Sequence, residues 1–409
     1  MTTGRRQVVV TGRGAICPLG DHPARIFESL CEGRRPFAAP TLFSSEVVPG
    51  VEVAEVRDFA AEHYVKTGNV RPLDRTGRLA LVGVELALAD GGWTAELRAT
   101  EAVGLALGTM FCSVKTIGEF DRRALQAGPG YVSPMDFSNT VLNAAAGQVA
   151  IWQKLRGVNT TIASGGTSGL HAIGYGSQLI QRGRADALVA GGAEEICYES
   201  CYGFYRAGRL ASANGHGALQ AAPFDAHRNG TLMGEGAAFL VLESEASARA
   251  RNAAVLARVL GFGNSYDPDT QRPSPNTPGA LASAIRRALA DAAVTPEQIG
   301  VVVSSASGSP QLDAREAAGV ASVVGGSVPV TAIKSMTGEA LGASGALQAL
   351  VAIEALRSGM LPGVAGLTQL DPAIALNIAA GSRAVRTTHA LVTAIAPEGN
   401  CCAAVFAID

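Results

Sequence analysis

The order of apolar patterns along the chain predicts an α/β fold, and three observations carry that prediction. Short β-branched or Ala-rich runs alternate with longer stretches whose apolar residues recur at helical spacing. Two strand–turn–helix units can be laid over one another. Of the 409 residues 47% are hydrophobic and 17% charged, enough to bury a large core and too apolar for a disordered chain. The strands begin at Gln7–Thr11 (QVVVT) and continue with Val103–Leu107 (VGLAL). Helical spacing predicts helices at Thr76–Ala89, Thr116–Leu125, Ala144–Leu155, Gly169–Arg182, Gly279–Ala293 and Ala346–Ser358.

The two superposable units are TTIASGGTSGLHAIGYGSQLIQRGRADALVAGG and VPVTAIKSMTGEALGASGALQALVAIEALRSGMLP. Gly169 to Gly183 spans the same number of positions as Gly345 to Gly359, and each helix carries an arginine (Arg182, Arg357) just before its closing glycine. An internal duplication accounts for the match. Residues 1–250 and 251–409 are then the two halves, meeting at the charged, small stretch Glu243–Asn252 (ESEASARARN). The 49 glycines are dense where these units turn, as in Ser164–Gly169 (SGGTSG), which suits either tight sheet–helix packing or a crowded central site.

Charge and composition exclude several function classes. With 33 Lys+Arg against 35 Asp+Glu, net −2, there is no basic excess to track a phosphate backbone, so no nucleic-acid partner is expected. No run of 18 uncharged apolar residues occurs and the N-terminus lacks a secretory pattern, so no membrane association and a cytoplasmic location are expected. The seven cysteines are odd in number and lack C-x-x-C spacing; Cys197 and Cys201 are four apart, but no nearby His or Cys completes a metal site. They read as buried small hydrophobes, and neither a metal nor any other cofactor is expected. After the first strand Gly12 and Gly14 suggest a dinucleotide loop, but Cys17 stands at the third glycine and Pro18 follows.

The most distinctive stretch is Pro223–Glu243, PFDAHRNGTLMGEGAAFLVLE. By itself it reads as a structural hairpin, with Asp225, Arg228 and Glu235 in a charge network beside a glycine-rich turn and a buried strand at Ala237–Leu242. It also resembles the PFD-x-x-R-x-G-x-x-x-GEGA signature of β-ketoacyl-ACP synthases, condensing enzymes of the thiolase fold. Four further stretches agree with that family in order: VVVTGRGAICPLG, SGGTSGLHAIGYGSQLIQRGRADALVAGGAEE, SGSPQLDAREAAGV and AIKSMTGEALGASGAL. The resemblance implies two pseudo-duplicated βαβαβ halves in a layered α-β-α-β-α arrangement.

It also implies a cysteine nucleophile at a strand-to-helix turn and two histidines that stabilise an enolate. The matching positions here are Gly166 in SGGTSGL, Ser305 in SSASGSP and Glu339 in KSMTGEALG; only the motif lysine, Lys334, is retained. The family's gating Phe is replaced by Pro397, with Glu398 beside it, and carboxylates at Glu339 and Glu398 would repel a malonyl group. In kind, the pattern resembles the chain-length factor of type II polyketide synthases. The expectation is therefore a chain that is not an enzyme in isolation. It would pair with a catalytic ketosynthase α subunit as a heterodimer, shape the polyketide tunnel, and meet acyl carrier protein mainly through that partner. Two alternatives stand beside it: a redeployed enzyme, either an acyl hydrolase or a malonyl-ACP decarboxylase using Glu339, Ser305 or Ser164, with Ser305 and Glu339 as a possible pair, and a homodimeric acyl-binding protein.

The resemblance places the tunnel in GTMFCSVKTIGEFDRRAL, with Met110, Phe111, Val114, Ile117 and Phe120 as pocket candidates; their spacing suits an ordinary core stripe equally. It places Phe137 and Val141 at the dimer interface. It also implies that the strand Thr160, Thr161, Ile162, Ala163, Ser164 pairs with its mate across the dimer axis.

Overall fold

The computed structural model describes residues 5–46, 48–65, 69–211, 221–268 and 279–409. Its centre is an eleven-stranded mixed sheet. The strands are β1 (Val8–Ile16), β2 (Val103–Gly108), β3 (Asn159–Ile162), β4 (Ala187–Glu194), β5 (Gly236–Ser244), β6 (Ala257–Tyr266), β7 (Val301–Ser304), β8 (Pro329–Ala332), β9 (Asn377–Ile378), β10 (His389–Ile395) and β11 (Asn400–Ala407). Their spatial order is β9-β8-β7-β10-β11-β6-β1-β5-β4-β2-β3.

The duplication is visible in the pairing. From β1 outward, β5 and β4 are antiparallel neighbours in turn, and β2 and β3 add in parallel. From β6 outward, β11 and β10 repeat the antiparallel steps, and β7 and β8 repeat the parallel ones. The halves join edge to edge where Val9 and Val10 of β1 meet Arg258 and Ala257 of β6.

Helices complete the layers. Helix α1 (Arg75–Asp90) covers β1, β5 and β4 and packs on α3 (Ala144–Gln153), while α2 (Val114–Ala127) lies further out, its residues no more than half-buried. Helices α4 (Ser168–Gln181) and α9 (Ser344–Ser358) pack on each other and on strands of both halves. Helices α6 (Gly279–Ala292) and α7 (Pro310–Val324) cover the far side, and α5 (Tyr198–Arg206) and α8 (Lys334–Thr337) are short. The α-β-α-β-α arrangement follows. Burial of every residue of α9 from Ser344 to Leu356 marks it as the central layer, because a helix apolar all round needs neighbours on every side.

Local chemistry sets the helix ends. The Asp74 side chain accepts from the Gly77 N–H at 2.7 Å to open α1, and Ser309 precedes Pro310 at the first turn of α7. Helix α9 ends at Gly359 with φ +71°.

The expected hairpin at Pro223–Glu243 is not formed. Met233–Gly234 pairs in parallel with Val53–Ala54, whereas β5 lies antiparallel between β1 and β4. Between them the buried Glu235 accepts from Val56 N, Ile196 N and the Arg75 guanidinium, and at Gly236, φ +151°, a Cβ would stand 2.5 Å from the Ile16 carbonyl. The chain therefore changes partners at this point instead of folding back on itself. Nor do Asp225, Arg228 and Glu235 form one network: Arg228 pairs with Asp371 at 2.7 Å and Asp313 at 3.6 Å, far along the chain from the Arg75–Glu235 pair. Among the described residues no helix is long and apolar enough to cross a membrane.

Candidate active site

The turns that follow β3, β7 and β8 converge on a cavity of about 530 Å3. Gly166 reaches it from the turn before α4, and Ser305 from the end of β7. Lys334 opens the short helix α8 (Lys334–Thr337), Glu339 follows, and Pro397 and Glu398 close the cavity from the β10–β11 turn. The sequence thus brings all four motif positions, Gly166, Ser305, Lys334 and Glu339, to one place.

Backbone packs on backbone at this point. A Cβ on Gly169 would stand 2.5 Å from the Gly342 carbonyl, so α4 and the turn into α9 approach as closely as they do because Gly169 lacks one, while Gly342 leaves room for the Thr109 backbone, 2.5 Å from where its own Cβ would be. Gly166 is different: a Cβ there would meet nothing within 4 Å. The position is open space facing the cavity. At the neighbouring Gly165, φ +64°, a Cβ would be 2.9 Å from the Glu398 carboxylate, so Glu398 occupies the room that this glycine leaves.

Lys334 Nζ donates to Glu339 Oε2 at 2.6 Å, with both side chains largely buried. The other oxygen of Glu339 accepts from Ser344 Oγ at 2.7 Å and Leu341 N at 3.0 Å. The carboxylate is therefore a compensated charge, and the repulsion of a malonyl group expected of it is cancelled at its source.

Ser305 does not pair with Glu339. Its hydroxyl donates to the buried Glu316 carboxylate at 3.1 Å and accepts from Ile395 N at 3.0 Å. Glu316 also accepts from Thr393 Oγ1 at 2.6 Å; burial raises its carboxyl above the ordinary range, opposed by Thr393, the Ser305 N–H and Lys334. Glu316 and Glu194 are site-supporting residues that sequence reasoning missed. Glu194, at the end of β4, accepts from Met110 N, Phe111 N, Cys112 N and Gly342 N, tying the turn after β2 to the turn before α9. The Glu pair in AGGAEE, directly after a buried strand, was the available signal.

No cysteine substitutes for the missing thiol among the described elements of the cavity. Burial pushes Cys112 and Cys197 up to about 12 and Cys201 to about 11, which keeps them as inert thiols. Of the histidines, His171 lies on α4 with its Nδ1 3.1 Å from Thr167 Oγ1, and His216 falls outside the described residues.

Of the tunnel candidates, Met110 lines the cavity and Phe111 packs with it in the adjacent apolar cluster. Val114, Ile117 and Phe120 lie half-buried on α2, away from the cavity lining, and the Phe120 ring meets that of Phe137 at 5.9 Å. Helical spacing aligned these residues on one face; the path of α2 over the surface carries that face away. Phe137 and Val141 are 62% and 48% exposed, in a region that also exposes Met135 and Leu142. Thr160, Thr161 and Ile162 belong to β3, which ends the sheet and pairs only with β2 among the described strands. Ala163 is exposed, and Ser164 is held by its N–H to Ser168 Oγ at 2.8 Å.

Residues 5–248 match the family described as beta-ketoacyl synthase, N-terminal domain, and residues 256–368 the beta-ketoacyl synthase, C-terminal domain. The chain is 32% identical over 374 residues to 3-oxoacyl-[acyl-carrier-protein] synthase 2 of Coxiella burnetii, covering 90% of each. Among solved structures it is similar to the ishigamide ketosynthase/chain length factor, with TM-score 0.92 and 28% identity over 99% of this chain and 100% of that one. A beta-ketoacyl synthase from Burkholderia phymatum gives TM-score 0.91, also at 28% identity, over 99% and 100%.

These relatives overturn the expectation of a chain-length factor that is no enzyme by itself. The curated relatives carry the name of a synthase and align over nine-tenths of the chain. Three missing side chains had carried the non-catalytic expectation. The structure adds that the positions of the missing side chains still line one cavity, with Lys334 present there and paired with Glu339.

Proposed function

The chain belongs to the β-ketoacyl synthase family, and from that premise we propose that it is itself an enzyme of β-ketoacyl synthesis, acting on acyl and malonyl groups carried as thioesters on acyl carrier protein. The observation that carries this reading is the convergence of Gly166, Ser305, Lys334 and Glu339 on one cavity in a chain similar throughout to 3-oxoacyl-[acyl-carrier-protein] synthases.

Glycine cannot hold an acyl group, so condensation here proceeds by direct transfer with both thioesters in the cavity. The malonyl C–CO2 bond breaks, carbon dioxide leaves, and the enolate carbon attacks the carbonyl of the acyl thioester. The carrier thiolate departs and takes a proton from solvent. Lys334 has N–H groups beyond the one given to Glu339 and donates to the enolate oxygen, while the N-terminal end of α4 faces the acyl carbonyl as negative charge develops. Glu339 and Ser344 hold the lysine in position; the open space at Gly166 admits the acyl carbon.

The test is to incubate the purified chain with malonyl-ACP and an acyl-ACP and follow 3-oxoacyl-ACP and carbon dioxide. Product above the enzyme-free rate, lost in Lys334→Met, supports the proposal. No condensation and no decarboxylation in the presence of both substrates overturns it.

For assembly, the unpaired edge of β3 and the exposed apolar side chains of Met135, Phe137, Val141 and Leu142 favour a dimer with a second ketosynthase-fold chain, joined through β3. Light scattering of the purified chain, alone and with Phe137→Asp, tests this: a dimer that the substitution dissociates is expected.

A further inference from the structure

A second cavity, of about 320 Å3, lies between α2, the helix Tyr198–Arg206 and the segment around Phe43, and shares no lining residue with the one at Gly166. Its inner wall is Glu195. Glu194 and Glu195 are adjacent, and the alternation of side chains that turns Glu194 toward Gly342 turns Glu195 the opposite way, into this space. Glu195 is 3% exposed, yet its Oε1 has no hydrogen-bond partner; Oε2 of Glu199, on the same wall, is likewise buried without one. Gly118 on α2 makes room for Glu199, since a Cβ there would stand 2.9 Å from its carboxylate.

Burying a carboxyl oxygen without a donor is costly, and native structures rarely tolerate it where nothing fills the gap. Among the described residues each cation at this cavity has an acidic neighbour other than Glu195. Arg75 is paired with Glu235 at 2.6 Å, Arg122 reaches Glu199 Oε1 at 3.6 Å, and Lys115 lies 4.0 Å from Glu119. What is missing is a small group with several N–H donors and positive charge. The walls beyond the carboxyls are Leu42, Phe43 and the Tyr198 ring, suited to an apolar stem and to cation–π contact.

We propose that this cavity binds a primary amine, with the ammonium donating to Glu195 and Glu199 and a short apolar stem lying against Phe43 and Tyr198. Burial first, then Asp74, raises the Glu195 carboxyl well above its ordinary range, with Glu235 and Glu194 adding to that and Lys115 opposing it. Binding an ammonium favours the ionised carboxylate and so releases a proton wherever Glu195 is protonated in the empty cavity, and Lys115 is the side chain best placed to compete with the ligand.

Calorimetric titration of the full chain with n-butylammonium chloride at fixed ionic strength, in two buffers of different ionisation enthalpy, tests the proposal. One saturable site with about one proton released is expected. Glu195→Gln should weaken binding by about tenfold or more and abolish the proton release. Lys115→Ala should bind at least as tightly as the parent. Should Glu195→Gln fail to fold, Glu199→Gln carries the same expectation of weakened binding. Equal binding of n-butanol, unchanged affinity in the folded glutamine variants, or no saturable heat in either the parent or Lys115→Ala would each overturn it.

Discussion

Lys334 Nζ stands 2.6 Å from Glu339 Oε2, so the two residues that the family resemblance aligned with a lysine and a histidine form one ion pair. With side chains 4% and 12% exposed, neither charge can be lost alone without stranding the other.

Glu339→Gln should therefore destabilise the protein by about 3 kcal/mol, and Lys334→Met by a similar amount, whereas the double substitution should cost less than the sum. Urea unfolding of the four proteins measures the coupling.

Gly166→Cys should fold with little loss, because its Cβ meets nothing within 4 Å. Cys112, Cys197 and Cys201 are buried with their thiols pushed up to about 12, about 12 and about 11, so they resist alkylation. The new thiol, at the N-terminal end of α4, should be alkylated by iodoacetamide at neutral pH first, as peptide mass mapping would show. The parent should gain no acyl mass from acyl-ACP while still turning over; a covalent adduct would exclude direct transfer.

Met110 lines the cavity and Phe111 stands behind it. Met110→Ala should extend the longest acyl chain accepted, and Phe111→Ala should act less on chain length than on stability, at about 3 kcal/mol. Product masses and thermal unfolding of the two variants separate the effects.

Asp225 is buried, which alone would raise its carboxyl, but Gln369 N, His227 N, Thr368 N and Thr368 Oγ1 donate to it and hold it down at about 2. A folded value below the ordinary 3.8 means its contribution is present above that pH and is lost as pH falls through about 2. Asp225→Asn should be less stable at pH 7 and show a flatter loss between pH 4 and 2 in urea midpoints.

Much of the architecture was legible in the chain. The matched spacing of Gly169–Gly183 and Gly345–Gly359 became α4 and α9, packed on each other between the two halves of the sheet, because helical period and a closing glycine are local properties. The motif positions were legible through the resemblance of SGGTSGL, SSASGSP and KSMTGEALG to the family's motifs, each of which lies within one segment. What was not legible is how their charges meet. Glu339 read as an uncompensated acid facing a malonyl group, and Ser305 as its partner only in the redeployed-enzyme alternative. Lys334, Ser344 and the distant Glu316 decide otherwise.

The sequence by itself determined the α/β fold and the duplicated halves, since these rest on periodicity and on turn residues read within one segment, and its resemblance to β-ketoacyl synthases picked out the four positions that line the cavity. Only the tertiary structure decided that Glu339 is neutralised, that Ser305 is held by Glu316, that α2 carries Ile117 and Phe120 away from the cavity, and that Glu195 lies buried without a donor. Each of those depends on which side chains from separate segments share a low-dielectric space, where the cost of an unpaired charge or hydrogen bond is set by neighbours that no local pattern specifies.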